Sequence, residues 1–329
     1  MISAATEEPY APYASGAMPW RPIRSISGDS LGAELRANTA GVRVTIRRFG
    51  ASKRLTSEHT RRAAEEFDAQ ATMVKASKKL LDTNHKLYRA VTSILSKVRQ
   101  YWNLASVEYP VRGVRLIRKS RIEEFETQMG DYREQLRVAL QELDNAYQVL
   151  CDDARQSLGE LWNLEDYPAT ISQEFGFSWD YPAIEPPDML RELHPDIWAR
   201  QQAQVAAQFE QAAVAMEAAF AEELQRLVSH LSERLSGDDD GKPKTFRDSA
   251  IENFGEFFER FRKVSVGSSE QLDAVITQAM GLLAGKDPKD VRKSGDVRAE
   301  LATGLAEVQS RLESLIVERP TRKITFDDE

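Results

Sequence analysis

The chain has 329 residues, of which 41% are hydrophobic, 8% aromatic and 29% charged, a profile that suits one or two domains of long amphipathic helices better than a sheet protein. No run approaches the ~18 consecutive apolar residues of a membrane span, and Cys151, the only cysteine, excludes an internal disulfide. The net charge of −8 hides a polarity, because residues 20–121 carry 22 Lys or Arg against 8 Asp or Glu, whereas residues 122–329 carry 22 against 42. The basic third either binds a polyanion such as nucleic acid, or lies against the acidic remainder within one chain or between copies, or is simply solvated.

The first 40 residues are rich in Ala, Ser, Pro and Tyr and read as a disordered tail. They lack the basic start and apolar middle of a secretory signal, which leaves the cytoplasm as the default location. Residues 42–49, VRVTIRRF, alternate apolar and charged side chains between Gly41 and Gly50 and predict a strand. From residue 57 the pattern turns helical. Phe67, Val74, Leu81, Tyr88, Leu95 and Trp102 recur every seven residues beside Met73, Leu80, Leu87, Ile94 and Tyr101, with no Pro or Gly between 51 and 107. That pattern predicts one helix over 57–104, about 70 Å long, which needs a second long helix to cover it.

Pro110 and Gly113 break this helix and leave a short extended stretch at 114–117. Ser120 followed by Glu123 has the capping-box form and starts a second long helix, predicted over 120–163. Its stripe is unbroken: Ile122, Phe125, Met129, Tyr132, Leu136, Ala139, Leu143, Ala146, Leu150. So short a connection predicts an antiparallel hairpin, with a core of Phe67, Leu81, Leu95, Phe125, Leu136, Leu143 and Leu150. The proline-rich piece that follows predicts a short helix at 169–174 and an extended segment at 175–184 that pairs with 42–49. A third long helix is predicted over 194–235, a polar linker over 237–245, and shorter helices over 246–263, 268–284 and 295–317, the last ended by Pro320. Residues 322–326 are a third candidate strand.

The fold class is therefore mainly α: a long, coiled-coil-like helical hairpin with a third long helix, a small β element and a smaller C-terminal helical unit. The domains read as a tail over 1–40, a long-helix domain over 41–236, a linker over 237–245 and a helical unit over 246–329.

No catalytic constellation emerges, and no cofactor or metal is expected. Asp82 and His85 stand one helical turn apart, a metal spacing that surface neighbours explain as well. Residues 281–287, GLLAGKD, miss a phosphate loop in spacing, in the residue after Lys and in context. Asp238 to Asp240 lack the alternation of a calcium loop. The one site-like feature is the run Arg43, Arg47, Arg48, Lys53, Arg54, Arg61 and Arg62, joined by Arg112, Arg115, Arg118, Lys119 and Arg121, which points to a polyanion surface.

The stretch LGELWNLEDYP at 158–168, then EFGF at 174–177, resembles a family of uncharacterised proteins of tailed bacteriophages and mobile elements. The likeness covers about residues 40–190. It implies a phage or prophage origin, host cytoplasm as the location, and a helical hairpin with a small β element. The family carries no activity and no functional residues to transfer. Taken together, these readings lead to a non-enzymatic scaffold or interaction protein, self-associating or meeting a protein partner through helix faces. The alternative is a nucleic-acid-associated protein using the basic third.

Overall fold

The computed structural model describes residues 30–235, 249–286, 291 and 294–317. Most of the stretch read as a tail, the 237–245 linker with its aspartates, Asp287, Pro320 and the strand expected at 322–326 lie outside the described residues. The chain divides into two compact units, one of Asn38–Val205 and one of Met1–Ala37 with Ala206–Glu329. The boundary drawn at 236/237 from the sequence falls inside the second of these.

In chain order the elements are α1 (Leu31–Asn38), β1 (Thr39–Arg47), β2 (Ser52–Arg54), α2 (Ser57–Glu65), β3 (Ser77–Lys79), α3 (Lys86–Ala105), β4 (Val107–Glu108), β5 (Arg115–Arg118), α4 (Ile122–Leu158), β6 (Gly176–Asp180), α5 (Asp188–Leu193), α6 (Pro195–Leu235), α7 (Ser249–Val264), α8 (Glu270–Leu283) and α9 (Gly295–Val317). The fold is mainly α with a small antiparallel sheet, as the periodicity predicts. Residues 31–38 correct the tail reading, since they are helical, with the Ser30 hydroxyl accepting from the Ala33 N–H at 3.1 Å.

In the hairpin unit α3 and α4 run antiparallel, joined by the β4 and β5 turn. Tyr101 near the end of α3 stacks on Phe125 near the start of α4, with ring centroids 5.6 Å apart. Toward the other end Tyr88, Val91 and Leu95 share a core with Leu136, Leu143, Tyr147 and Leu150. The sheet order is β4-β5-β1-β6, all neighbours antiparallel. The expected pairing of 42–49 with 175–184 is present, with Val44 opposite Trp179. Alternation along β1 turns Val42 and Val44 onto a core with Val98, Ile117, Phe125 and Met129, and leaves Arg43, Thr45 and Arg47 on the other face.

One expected element is absent. No single helix spans 57–104: α2 ends at Glu65, α3 begins at Lys86, and between them lie a 3-10 turn (Ala71–Met73) and β3. Phe67, expected in the core, is 80% exposed. The chain leaves the helical path without Pro or Gly. Asp68 takes a left-handed φ of 51°, which Asp tolerates better than most residues, and the Asp82 side chain accepts from the Asn84 N–H at 2.9 Å, forming a turn just before α3. Between those two turns, Ser77, Lys78 and Lys79 pair with β2 instead of continuing a helix. Asp82 and His85 are thus turn residues and not neighbours on a helix.

The second long helix starts later than expected. Lys119–Arg121 form a 3-10 turn, and Arg121 stands at the N-cap of α4 without a side-chain cap bond, so the expected Ser120 capping box is replaced. α4 stops at Gly159, whose φ of 51° suits a residue without Cβ.

In the second unit Phe220 of α6 meets Phe257 and Phe261 of α7 edge-on, and α8 packs on α9. The two helices meet at Gly304, where an added Cβ would overlap the methyls of Leu282. The turn between α7 and α8 is buried, with Ser265 and Ser268 almost without exposure. Glu217 of α6 accepts there from the Ser269 N–H at 2.5 Å.

Candidate functional site

The basic segment between β1 and α3 is built around one carboxylate. Asp166 ends a 3-10 turn, Leu164–Asp166, that follows α4 and whose start is held by Asn163 Oδ1 accepting from the Glu165 N–H at 3.0 Å. Its side chain is 2% exposed. Lys78 Nζ lies 2.5 Å from Asp166 Oδ2 and donates to the Leu161 carbonyl at 2.5 Å, from a position only 9% exposed. Lys53 Nζ donates to Asp166 Oδ1 from a more open position, 57% exposed. Burial opposes ionisation of Asp166, but hydrogen bonds and charge from Lys53 and Lys78 outweigh it and hold the carboxyl below its ordinary value.

The next residue completes the attachment. Tyr167 donates its hydroxyl to the Leu80 carbonyl at 2.8 Å and stacks on Trp162. Burial, then the charges of Cys151 and Asp166, pushes its phenol up to about 12. The acidic-Tyr-Pro motif at 166–168 therefore fixes the β2 and β3 ribbon to the end of the hairpin.

In the ribbon Lys53 pairs with Lys78, Ser52 with Lys79 and Arg54 with Ser77. Directly paired residues share a face, so Lys53 and Lys78 point inward to Asp166. Ser52, Arg54, Ser77 and Lys79 occupy the other face and all four are exposed. Each of these side chains donates hydrogen bonds, two are cations and none is a carboxylate. The connection from 55 to 76 carries α2 and the 3-10 turn. It also displays Phe67 and Met73, which are 80% and 82% exposed.

The seven basic residues singled out in the sequence do not form one patch. Arg43 and Arg47 share the outer face of the sheet, where Arg43 grips Asp180 through Nε at 3.0 Å and Nη2 at 2.5 Å. Arg48 lies on the opposite side and donates to Ser96 of α3 at 3.3 Å. Lys53 is committed to Asp166, Arg54 lies on the outer ribbon face, and Arg61 and Arg62 lie on α2, where Arg61 pairs with Glu65. Arg47, Arg48, Arg54 and Arg62 make no ion pair among the described residues. Lys75, Lys78 and Lys79, absent from the sequence-derived set, belong to this lobe.

In the second basic run Arg115 and Arg121 have structural work instead. Arg115 donates from Nε to Ser106 Oγ at 2.9 Å and from Nη2 to the carbonyls of Ser106 at 2.9 Å and Asn103 at 3.3 Å, so its guanidinium closes the end of α3. Burial lowers its pKa against the pull of Glu108. Arg121 pairs with Glu124.

Cys151 lies on α4 beside Tyr147, and burial raises its thiol pKa. Lys286, from the loop-like GLLAGK sequence, follows α8 and pairs with Glu300 at 2.8 Å. Among the described residues no three His, Cys, Asp or Glu side chains gather as a metal site, and no helix is long and apolar enough to cross a membrane. Compared with known proteins, the chain matches no family model, no curated protein and no solved structure.

Proposed function

We propose that this chain is a non-enzymatic helical scaffold and interaction protein that meets its partner through the lobe at 52–79. One observation carries the reading: Phe67 and Met73 stand in water on the connection from 55 to 76, among exposed charges of both signs, while the rest of the hairpin covers most of its large apolar side chains. An isolated exposed apolar residue is ordinary; two on one charged projection are the composition of a contact surface.

Self-association belongs to the same reading. Val138 and Val149, 44% and 62% exposed, stand about three turns apart along one side of α4. A cytoplasmic location and a phage or prophage origin complete it, the latter on the strength of the 158–177 motif. Flanking virion genes would support a structural role, and replication or recombination genes a nucleic-acid role.

The test compares three forms of the protein by light scattering and by affinity capture from the cells that encode it. The forms are the intact chain, a Phe67→Ser/Met73→Ser variant, and a chain in which an Asn-Gly turn joins Arg54 to Ser77. The intact chain is expected to retain a partner that both altered forms lose. Identical behaviour of all three would overturn the proposal.

A further inference from the structure

We infer that the free edge of β6 pairs antiparallel with β6 of a second copy of this chain, in the register that sets Ser178 against Ser178 across a two-fold axis. The inference goes beyond the lobe reading and uses none of the lobe's residues.

The sheet offers one edge long enough to extend. Its order is β4-β5-β1-β6, so β4 and β6 are the outer strands. β4 has two residues, whereas β6 has five and pairs with β1 along its whole length without a bulge. Among the described residues no backbone hydrogen bond meets the side of β6 turned away from β1. Open edges are ordinarily blunted by lysine, proline, a bulge or an unpaired charge. Gly176 to Asp180 carry a single charge, Asp180, and Arg43 of β1 neutralises it.

This edge is complementary to itself. Directly opposed residues share a face of the sheet. With Ser178 on the axis, Gly176 opposes Asp180 of the second copy, and Phe177 opposes its Trp179. Arg47 supplies the charge for the first pair. It stands opposite Gly176 in β1, and its Nη2 would lie 3.9 Å from a Cβ added at Gly176. The guanidinium thus lies over the glycine, beside the place that Asp180 of the second copy takes, about 5 Å from the same point. Arg47 makes no ion pair among the described residues. Asp180 is 50% exposed and has lone pairs beyond the two that Arg43 occupies. The symmetry makes this contact twice.

On the other face Phe177 and Trp179 stack at 5.9 Å and are half-buried. Each gains an aromatic neighbour across the axis, a favourable cross-strand pair. A slip of one residue would mix the two faces. A slip of two would set Gly176, and Arg47 above it, against Pro182 or Ser178 instead of a carboxylate. A foreign strand would have to bring a carboxylate and an aromatic to these positions; β6 has both in place.

Sedimentation of the full chain over the micromolar range is expected to show a dimer. Ser178→Lys sets like charges opposite each other on the axis, and Arg47→Glu sets one against Asp180 of the second copy. Each should weaken the dimer at least about tenfold. Both positions are exposed, and circular dichroism checks that the fold is kept. In a Cys151→Ala background, a short bismaleimide should join two copies of Ser178→Cys. It should not join Ala183→Cys, which is exposed and far from the axis.

A monomeric chain overturns the inference, including one whose edge accepts a segment of another protein or of the same chain. So does a dimer that keeps its strength in either charge variant, or one that is not linked through Ser178→Cys. The link should also form in Val138→Ser/Val149→Ser and in Phe67→Ser/Met73→Ser. Its loss in the first assigns the contact to α4, and its loss in the second assigns it to the lobe; either result overturns the inference. A link that persists in a chain whose lobe retains no partner leaves the inference standing while the lobe reading falls.

Discussion

Asp166 and Lys78 meet at 2.5 Å with 2% and 9% of their side chains exposed, although 87 residues separate them in the chain. A buried charge is tolerated only when paired, and removing one partner strands the other. Lys53 completes the cluster from a position that water reaches.

The two lysines should therefore differ in weight. Lys78→Ala is expected to destabilise the fold by roughly 3 kcal/mol, as for a broken buried pair. Lys53→Ala should lose less than about 1 kcal/mol, as for an exposed pair. Urea denaturation of the two variants measures both. Equal losses would mean that Asp166 is served by either lysine alone.

Acid should find the same cluster. The folded carboxyl of Asp166 sits below its ordinary value, so its contribution is present above the unfolded pKa of about 3.9 and disappears as pH falls through the folded pKa. The urea midpoint of the native protein should drop below about pH 4 more steeply than that of Asp166→Asn. Parallel pH profiles would contradict this.

Asp273 carries the opposite sign. It is buried in the first turn of α8, and burial raises its carboxyl pKa against a hydrogen bond from Ser268. Its ionised form opposes folding at neutral pH, and that penalty fades as pH falls through the folded pKa toward the unfolded one. Asp273→Asn should raise the melting temperature at pH 7 and lose its advantage near pH 4. A lower melting temperature at pH 7 would refute the assignment.

Arg115 should resist conservative replacement. Its planar guanidinium reaches a hydroxyl and two carbonyls at the end of α3 at once, and stands 5.9 Å from the centre of the Trp102 ring. Lysine supplies a point charge without that fork. Arg115→Lys is expected to destabilise the hairpin by about 1–3 kcal/mol, with earlier amide exchange in the last turn of α3 as the measure.

How much of this was readable from the residues depended on the range of the interactions. α4 announces itself because every third or fourth residue from Ile122 to Leu150 is apolar and the partner helix is close in sequence. The pairing of β1 with β6 was visible for a similar reason, since both segments alternate and are bounded by turn residues. The break between α2 and α3 was not. Phe67, Val74 and Leu81 keep the heptad spacing by coincidence, while Asp68, which turns the chain after α2, and Asp82, which turns it before α3, are common on helix surfaces. What decides the matter is a carboxylate far along the chain, which periodicity does not register.

The site was visible in composition and hidden in arrangement. Arg43, Arg47 and Arg48 look like one cluster in sequence, yet β1 ends at Arg47, Arg48 turns to Ser96 of α3, and Asp180 occupies Arg43. Lys79 was passed over because it lay inside the expected helix. The LEDYP stretch that prompted the family resemblance proves to be the clasp that seats the ribbon on the hairpin.

Arg54 and Ser77 face each other across the ribbon, so the chain departs and returns at nearly the same point. Whatever lies between them hangs from a doorway of constant width. The framework beneath can stay as it is while a lineage lengthens, trims or exchanges that insert, and a new binding preference then needs no new protein.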